Sequence, residues 1–252
     1  TIKESGIGLA CEEAARIILS ENRPFSMETA ACDEEYEPSS EYDSSFALQI
    51  FAAREAVFKI LAKESLSIHE KLIVILDMGS KIQQCINTDE YDNIKSVVND
   101  YLKEGIAHTL DETRNLSDSG QFEDISLQQG IRQILYPYEE MEVLNPEWEV
   151  ILKDIIDSLF EQMSDEEYNI LNEEFGTYMV SRVYEYRQLL EYLVFRYFAK
   201  SIYDYDFLGK CQMLVTNFFV IRQMDIIRWL DNHREYSFKD RMDVVHIFSR
   251  QV

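Results

Sequence analysis

Glycine and proline are both scarce in this chain, which has 8 and 4 of them among 252 residues. No stretch shows the sustained alternation of polar and apolar residues that half-buried β-strands have. Hydrophobic residues make up 46% of the sequence, which is enough for a sizeable core in a chain of this length. The composition therefore predicts an all-α globular protein.

The local signatures of several enzyme classes are also missing. There is no G-x-G-x-x-G or P-loop motif for a nucleotide, no H-E-x-x-H zinc motif and no G-x-S-x-G nucleophile motif. The four histidines, at positions 69, 108, 233 and 246, are scattered along the chain. His246 lies on the predicted inner face of the last helix, where a core or interface histidine is a simpler interpretation than a catalyst. No local motif indicates catalysis.

The four cysteines, at positions 11, 32, 85 and 211, form no C-x-x-C pair and have no histidine at ligand spacing. This usage indicates free thiols in a reducing compartment, and Cys11, Cys85 and Cys211 are most simply small buried apolar residues. There is no signal peptide and no charge-free apolar run of about 18 residues. We therefore expect a soluble, cytoplasmic protein. Because the sequence begins at Thr1, we also expect a trimmed chain or a fragment.

Basic residues are fewer than acidic residues: the chain has 24 Lys and Arg and 47 Asp and Glu, which gives a formal net charge of −23. Such a surface repels phosphate backbones and anionic lipids, so nucleic-acid binding and peripheral membrane binding are disfavoured. A basic, lysine-bearing partner would be attracted. The simpler alternative is that the acidity serves solubility alone.

Helical periodicity runs through most of the chain and predicts an irregular bundle of about eight to ten helices. We interpret residues 1–252 as a single helical domain, with a short helix at 9–20, an acidic loop at 21–45 and a helical body at 46–252. Helix-start signals support this pattern. They begin at Ser67, Asn145, Ser164 and Ser237.

Several boundaries are predicted from residues that favour turns. A helix that starts near position 127 is expected to stop before Pro137. Gly176 is expected to separate two helices, and Gly105 to mark a bend. Residues 115–124 are interpreted as a polar loop.

The segment from Val183 to Val252 has three successive helical patterns that are dense in Tyr, Phe, Leu and Ile. Buried charges are costly unless they are paired. The charged residues in these apolar surroundings therefore either form structural ion pairs or line a site. They are Glu191, Arg196, Arg222, Arg228 and Arg250.

Four segments resemble the flagellin lysine N-methylase family. CEEAAR at 11–16, LEYLVFRYF at 190–198 and HIFSR at 246–250 are similar to motifs of that family, in the same order along the chain. The region from Arg54 to Lys71 is similar as well, with Lys71 in the place of an arginine. The likeness spans nearly the whole chain and is most specific in these segments.

The resemblance implies methyl transfer from S-adenosylmethionine to lysine side chains of flagellin, which would be the protein partner. It also implies an N-terminal, cysteine-rich segment that carries an iron–sulfur cluster or another metal. That segment is absent from this sequence, so we expect the chain alone to be incomplete for catalysis. Cys11 is either a remaining ligand of that cluster or, more simply, a buried structural thiol.

Methyl transfer to lysine needs a neutral amine, an aligned sulfonium and a site that excludes water. On the resemblance, Glu191 and Tyr192 are the candidate catalytic residues, with Glu191 orienting the incoming lysine. Arg196 and Arg250 are the candidates for binding the carboxylate of the cofactor. Aromatic faces and phenol oxygens suit an ammonium group. Six tyrosines can supply them: Tyr184, Tyr186, Tyr192, Tyr197, Tyr203 and Tyr205.

Alternatives stay open for the residues and for the function. The tyrosines can instead be core residues, and Glu191 and the arginines can form interhelical salt bridges. The alternative to an enzyme is a non-catalytic helical scaffold whose acidic surface binds a basic partner. The sequence does not determine the oligomeric state.

Overall fold

The computed structural model describes residues 8–23, 25–27, 44–120 and 125–251. This part of the chain is all-α and contains no strand, which confirms the predicted fold class. Its α-helices are α1 (Glu12–Leu19), α2 (Ser44–Leu61), α3 (Ile68–Asn87), α4 (Ile94–Asp100), α5 (Ile106–Asp118), α6 (Leu127–Glu139), α7 (Pro146–Ile155), α8 (Asp165–Tyr178), α9 (Val183–Tyr197), α10 (Ser201–Asp204), α11 (Phe207–Asp231) and α12 (Phe238–Gln251). When α4 and α5 are counted as one continuous helix and the single turn α10 is left aside, the described residues form ten helices.

Helix-start signals in the sequence set several of these N-termini. Ser67 and Ser164 each form a complete capping box with the glutamate three residues later. Asn145 accepts a hydrogen bond from the backbone N–H of Glu147, and Pro146 occupies the first helical position. Before α12, Ser237 accepts a hydrogen bond from the backbone N–H of Asp240, whose carboxylate accepts one from the backbone N–H of Ser237. All four predicted starts are confirmed. A further capping box, formed by Ser126 and Gln129, opens α6 and was not predicted.

Turn-favouring residues were less reliable guides to helix ends. Helix α6 continues through Pro137 to Glu139, because a proline so near the C-terminus removes only one late hydrogen bond. Gly176 lies inside α8, where glycine weakens a helix without ending it. Helix α5 extends to Asp118, four residues into the predicted polar loop. The prediction was wrong at all three places.

The predicted bend at Gly105 corresponds to a change of helix type. Residues Tyr101–Gly105 form a π-helical turn between α4 and α5. A methyl group added at Gly105 would lie 3.2 Å from the ring of Tyr101, so the residue is small where the turn is crowded. Residues Ile156–Glu161 form a second π-helical turn after α7.

The chain folds into two compact units. Unit 1 contains the described residues of Asn22–Asn115 and Arg187–Leu214, and unit 2 contains those of Ile7–Glu21, Leu116–Tyr186 and Val215–Val252. The interpretation of residues 1–252 as one domain stays a prediction. No helix in the described ranges is long and apolar enough to cross a membrane.

Each unit has its own apolar core. In unit 1, α2, α3 and α4 pack on one another, and Phe46 and Phe198 are fully buried. In unit 2, α12 packs on α1 and α7, and α6 packs on α8. Trp148, Tyr168 and Phe175 fill that core.

Candidate functional site

Glu191 lies on α9 in unit 1, with 2% of its surface exposed. Arg187, one turn earlier on the same helix, donates from Nη1 to both carboxylate oxygens, at 2.8 and 3.0 Å. Nη2 of Arg187 donates to Asn22 Oδ1 at 2.8 Å and to the carbonyl oxygen of Arg23 at 2.9 Å. The ion pair of Glu191 with arginine is therefore within one helix, and not between helices as the structural alternative expected.

Lys71 brings a second positive charge to this carboxylate. It lies on α3 in the same unit and is 5% exposed. Burial lowers the pKa of the Lys71 ammonium, and the charge of Arg187 lowers it further, against the opposing effect of Glu191. Burial also raises the pKa of Glu191, against the effects of Arg187 and Lys71. Glu191 is thus ion-paired with Arg187 and interacts electrostatically with Lys71, and we call these three residues the α9 cluster.

The α9 cluster has the properties of a site that can exchange protons. A lysine with a lowered pKa is neutral over a wider pH range, and a carboxyl group with a raised pKa takes up a proton more readily. Such shifts are concentrated at functional sites, although structural ion pairs also show them. Because Arg187 fixes the carboxylate from one side, Glu191 is held in a single orientation.

Arg54 lies against the same helix as the α9 cluster. Its guanidinium carbon lies 5.9 Å from the ring centre of Phe195, one turn after Glu191, and 5.1 Å from that of Phe51. One segment that resembles the methylase family runs from Arg54 to Lys71. Glu191 and Phe195 belong to another such segment, at residues 190–198. The structure thus brings these two distant segments together along α9.

Tyr192, the second candidate catalytic residue, is half-buried next to Glu191. The six candidate tyrosines are divided between the two units. In unit 2, Tyr186 is buried and its hydroxyl donates to Asp225 at 2.5 Å. In unit 1, Tyr203 is exposed and Tyr205 stacks on a phenylalanine ring. These three tyrosines therefore have different environments.

The two candidate cofactor-binding arginines are both exposed. Arg196 lies on α9 in unit 1, and Arg250 lies near the end of α12 in unit 2. An exposed guanidinium group can donate two parallel hydrogen bonds to a carboxylate. Their roles, and those of Glu191 and Tyr192, stay predictions.

The described cysteines are free thiols in two kinds of environment. Cys85 and Cys211 are buried in unit 1, and burial raises the pKa of both thiols, as expected of small apolar residues. Cys11 is exposed at the start of α1, so its interpretation as a buried structural thiol was wrong. Cys32 lies outside the described residues.

Unit 2 contains a buried ionic network that the sequence reasoning missed. Arg241, 1% exposed, donates to Glu185 at 2.9 Å and to Asp225 at 2.5 Å. The hydroxyl groups of Tyr186 and Tyr236 donate to the same aspartate. The network joins α9, α11 and α12 and the segment before α12 within this unit.

The charges of this network balance. Arg182 donates to Glu185 at 2.7 Å, so two arginines face two carboxylates. Burial alone would lower the pKa of Arg241, but Asp225 and the surrounding groups raise it well above its usual value. Arg241 therefore stays charged, and its pairing with two carboxylates indicates a structural role, although its buried Nη2 makes no hydrogen bond to the described residues. One signal was present in the sequence, since Arg241 is four residues before the inward-facing Val245.

Comparison with known protein families matches residues 54–252 to the family described as the FliB lysine N-methylase C-terminal domain. No match is found among curated proteins or among solved structures. The matched region includes both segments that meet on α9, as well as the whole of α12. Because the match covers most of its length, the chain belongs to the FliB lysine N-methylase C-terminal domain family.

Proposed function

We propose that this chain is the helical portion of a cytoplasmic, S-adenosylmethionine-dependent lysine N-methyltransferase that acts on flagellin. The family match supports the proposal. The observation that carries it is the meeting of two family-like segments on α9, where the buried carboxylate of Glu191 is paired with Arg187 and interacts electrostatically with Lys71. A pair of Glu191 with Arg187 needs no second basic group, and here Lys71, whose pKa is lowered by burial and by Arg187, interacts with the same carboxylate.

In this proposal Glu191 orients the lysine of the substrate, with Tyr192 beside it. Each carboxylate oxygen of Glu191 accepts from Arg187 and retains lone-pair capacity for an incoming ammonium. The raised pKa of Glu191 suits it to accept the proton that the substrate amine must lose before it can react.

S-adenosylmethionine supplies the methyl group when it is bound. The described residues fit one part of this cofactor, because the exposed guanidinium group of Arg196 or Arg250 can bind the carboxylate of S-adenosylmethionine. For an iron–sulfur cluster the fit fails, since the described ranges contain no group of three or more His, Cys, Asp and Glu side chains that could hold a metal. A single exposed thiol at Cys11 is insufficient, and we assign no step to a cluster.

The test is methylation of purified flagellin by the full-length protein that contains this chain, with S-adenosylmethionine under reducing conditions. Intact-mass and peptide mass spectrometry should show lysine masses raised by about 14 Da for each methyl group. Glu191→Gln should reduce the rate by about tenfold or more. Glu173→Gln, a matched change on the exposed surface of α8, should leave it unchanged.

Absence of any mass gain with the wild-type protein would overturn the proposal. Binding of flagellin without a mass gain would favour the non-catalytic scaffold. Equal rates for Glu191→Gln and Glu173→Gln would remove Glu191 from the site while leaving the activity in place. Circular dichroism of each variant checks that it is folded.

A further inference from the structure

Unit 2 has a concavity of about 240 Å³, bounded by the end of α6, residues 140–145 and α7, which we call the α6–α7 cleft. Its apolar lining includes Met141, Val143, Trp148, Leu152 and Ile156. Pockets for drug-sized ligands have volumes of roughly 300–1,000 Å³. The α6–α7 cleft therefore fits one or two side chains of another protein better than a whole cofactor.

Exposed apolar residues also lie close to the cleft lining in sequence. Leu144, next to Val143, is 65% exposed, and Val150 on α7 is 61% exposed. Met141 and Val143 line the cleft and are themselves exposed. Single exposed apolar residues are common, but exposed apolar residues that line a concavity are typical of a protein-binding surface.

The same surface is strongly acidic. Glu139, Glu149 and Asp157 line the cleft, against Lys153 as the one basic residue in its lining. Arg132 already pairs with Glu139, so Glu149 and Asp157 against Lys153 leave the lining with one excess negative charge. Over residues 139–157 the chain has seven acidic residues and one lysine.

The apolar lining and the acidic surface together favour one kind of binding partner for the cleft. An anionic lipid or a nucleic acid is repelled by the acidic rim. A second copy of the chain would bring the same acidic surface and a net charge of −23 into contact with itself. A segment with lysines beside apolar side chains matches both features, because the ammonium groups meet the carboxylates while the apolar groups fill the cleft.

We infer that the α6–α7 cleft is the docking surface for a lysine-bearing, partly apolar segment of the protein substrate. This inference rests on the proposed function and adds the surface that recognises the substrate. Docking at this surface lowers the KM for the protein substrate, whereas the chemical step depends on other residues.

The test uses the full-length protein and a fluorescent synthetic peptide in which lysines alternate with leucines, without any methyl donor. Fluorescence anisotropy should show binding that weakens as salt is added. Glu149→Lys should weaken binding by about fivefold, because it replaces an attraction at the rim by a repulsion. Glu173→Lys makes the same change of charge at an exposed position of α8, outside the cleft, and should weaken binding much less.

The apolar part of the surface has its own matched pair. Val143→Asp should weaken binding of the peptide, whereas Val180→Asp, at an exposed valine outside the cleft, should not. Equal weakening by Glu149→Lys and Glu173→Lys would mean that net charge alone attracts the peptide, and would overturn the inference. Absence of binding to the wild-type protein would overturn it too.

Failure of this inference is distinguishable from failure of the proposed function. If flagellin is methylated and Glu149→Lys leaves the KM unchanged, the docking surface is wrong and the function stands. If the peptide binds the cleft and no methylation occurs, the surface is right and the function is wrong.

Discussion

Among the individual residues, Lys71 is the one whose protonation has the clearest consequence for stability. Its pKa in the folded protein is lowered, mainly by burial, relative to the value of about 10.4 for an exposed lysine. The unfolded chain therefore binds more protons in the pH range between the two values, so stability rises with pH across that range. The negative charge of Glu191 raises the pKa of Lys71 and therefore reduces this pH dependence of stability.

We expect Glu191→Gln to lower the pKa of Lys71 further, because the substitution removes the negative charge that raises it. It should also lower the free energy of unfolding by about 3 kcal/mol at neutral pH, since the buried Lys71 and the half-buried Arg187 lose their anionic partner. An NMR titration of the lysine side-chain carbons gives the pKa, and urea unfolding gives the stability. Glu64→Gln, which removes an exposed and weaker contributor, is the control. A Lys71 pKa that stays the same or rises in Glu191→Gln would contradict this account.

Only part of the candidate site could be predicted from sequence. Glu191 was recognised because a charge in an apolar helix needs a partner, but helical periodicity does not identify a partner on another helix. Lys71 was noted only as a substitution within a family-like segment, and its place beside Glu191 required the fold. Asp225 and Arg241 were missed for the same reason, since their pairing joins residues 16 positions apart on two helices.

At the scale of helices, the approach of α3 to α11 within unit 1 depends on one glycine. A methyl group added at Gly79 would lie 2.6 Å from the sulfur of Cys211 and 3.2 Å from its Cβ. Both residues are buried, so neither can move into solvent. Helix α11 is held at its start by Gln83 of α3, whose Oε1 accepts from the backbone N–H groups of Phe207 and Leu208 at 2.9 and 3.1 Å. The two helices thus cannot separate easily to make room.

Gly79→Ala should therefore lower the free energy of unfolding by about 1–3 kcal/mol, despite the better helix propensity of alanine. Adding Cys211→Ala removes the clashing sulfur, so the double variant should lose less stability than the sum of the two single changes. Urea unfolding of the four proteins measures this coupling.

The control is Gly130→Ala in α6, where the nearest atom to an added methyl group is 3.9 Å away. With no clash, that change should stabilise the protein by about 0.5–1 kcal/mol. If Gly79→Ala were as stabilising as Gly130→Ala, the close approach of α3 and α11 would not require a glycine at position 79.

Helix starts were predicted better than helix ends, for a physical reason. A capping serine or asparagine satisfies particular backbone N–H groups, so Ser67, Asn145 and Ser164 act locally and can be recognised in sequence. A helix end can be decided by packing. Tertiary contacts carry α6 past Pro137 and α8 past Gly176, although both residues disfavour helix locally.

At the scale of the whole molecule, the net charge of −23 is the dominant electrostatic feature. Most of the exposed ion pairs are weak, and salt screens them. The buried pairs of Arg241 and Glu191 are screened much less, because they are out of contact with the solution. What remains for salt to act on is the repulsion among the excess carboxylates, which destabilises the compact state.

We therefore expect sodium chloride to raise the midpoint of thermal unfolding at pH 7. The largest change should come as the salt concentration rises to about 0.2 M, because over that range the Debye length falls to about 7 Å and repulsion between exposed carboxylates becomes screened. Thermal unfolding followed by circular dichroism measures the effect. Repeating the series near pH 4.5, the sequence isoelectric point, removes most of the net charge, so the rise should shrink there. A midpoint at pH 7 that falls with salt would show that exposed ion pairs outweigh the repulsion, and that the acidic surface carries no cost that a basic partner could relieve.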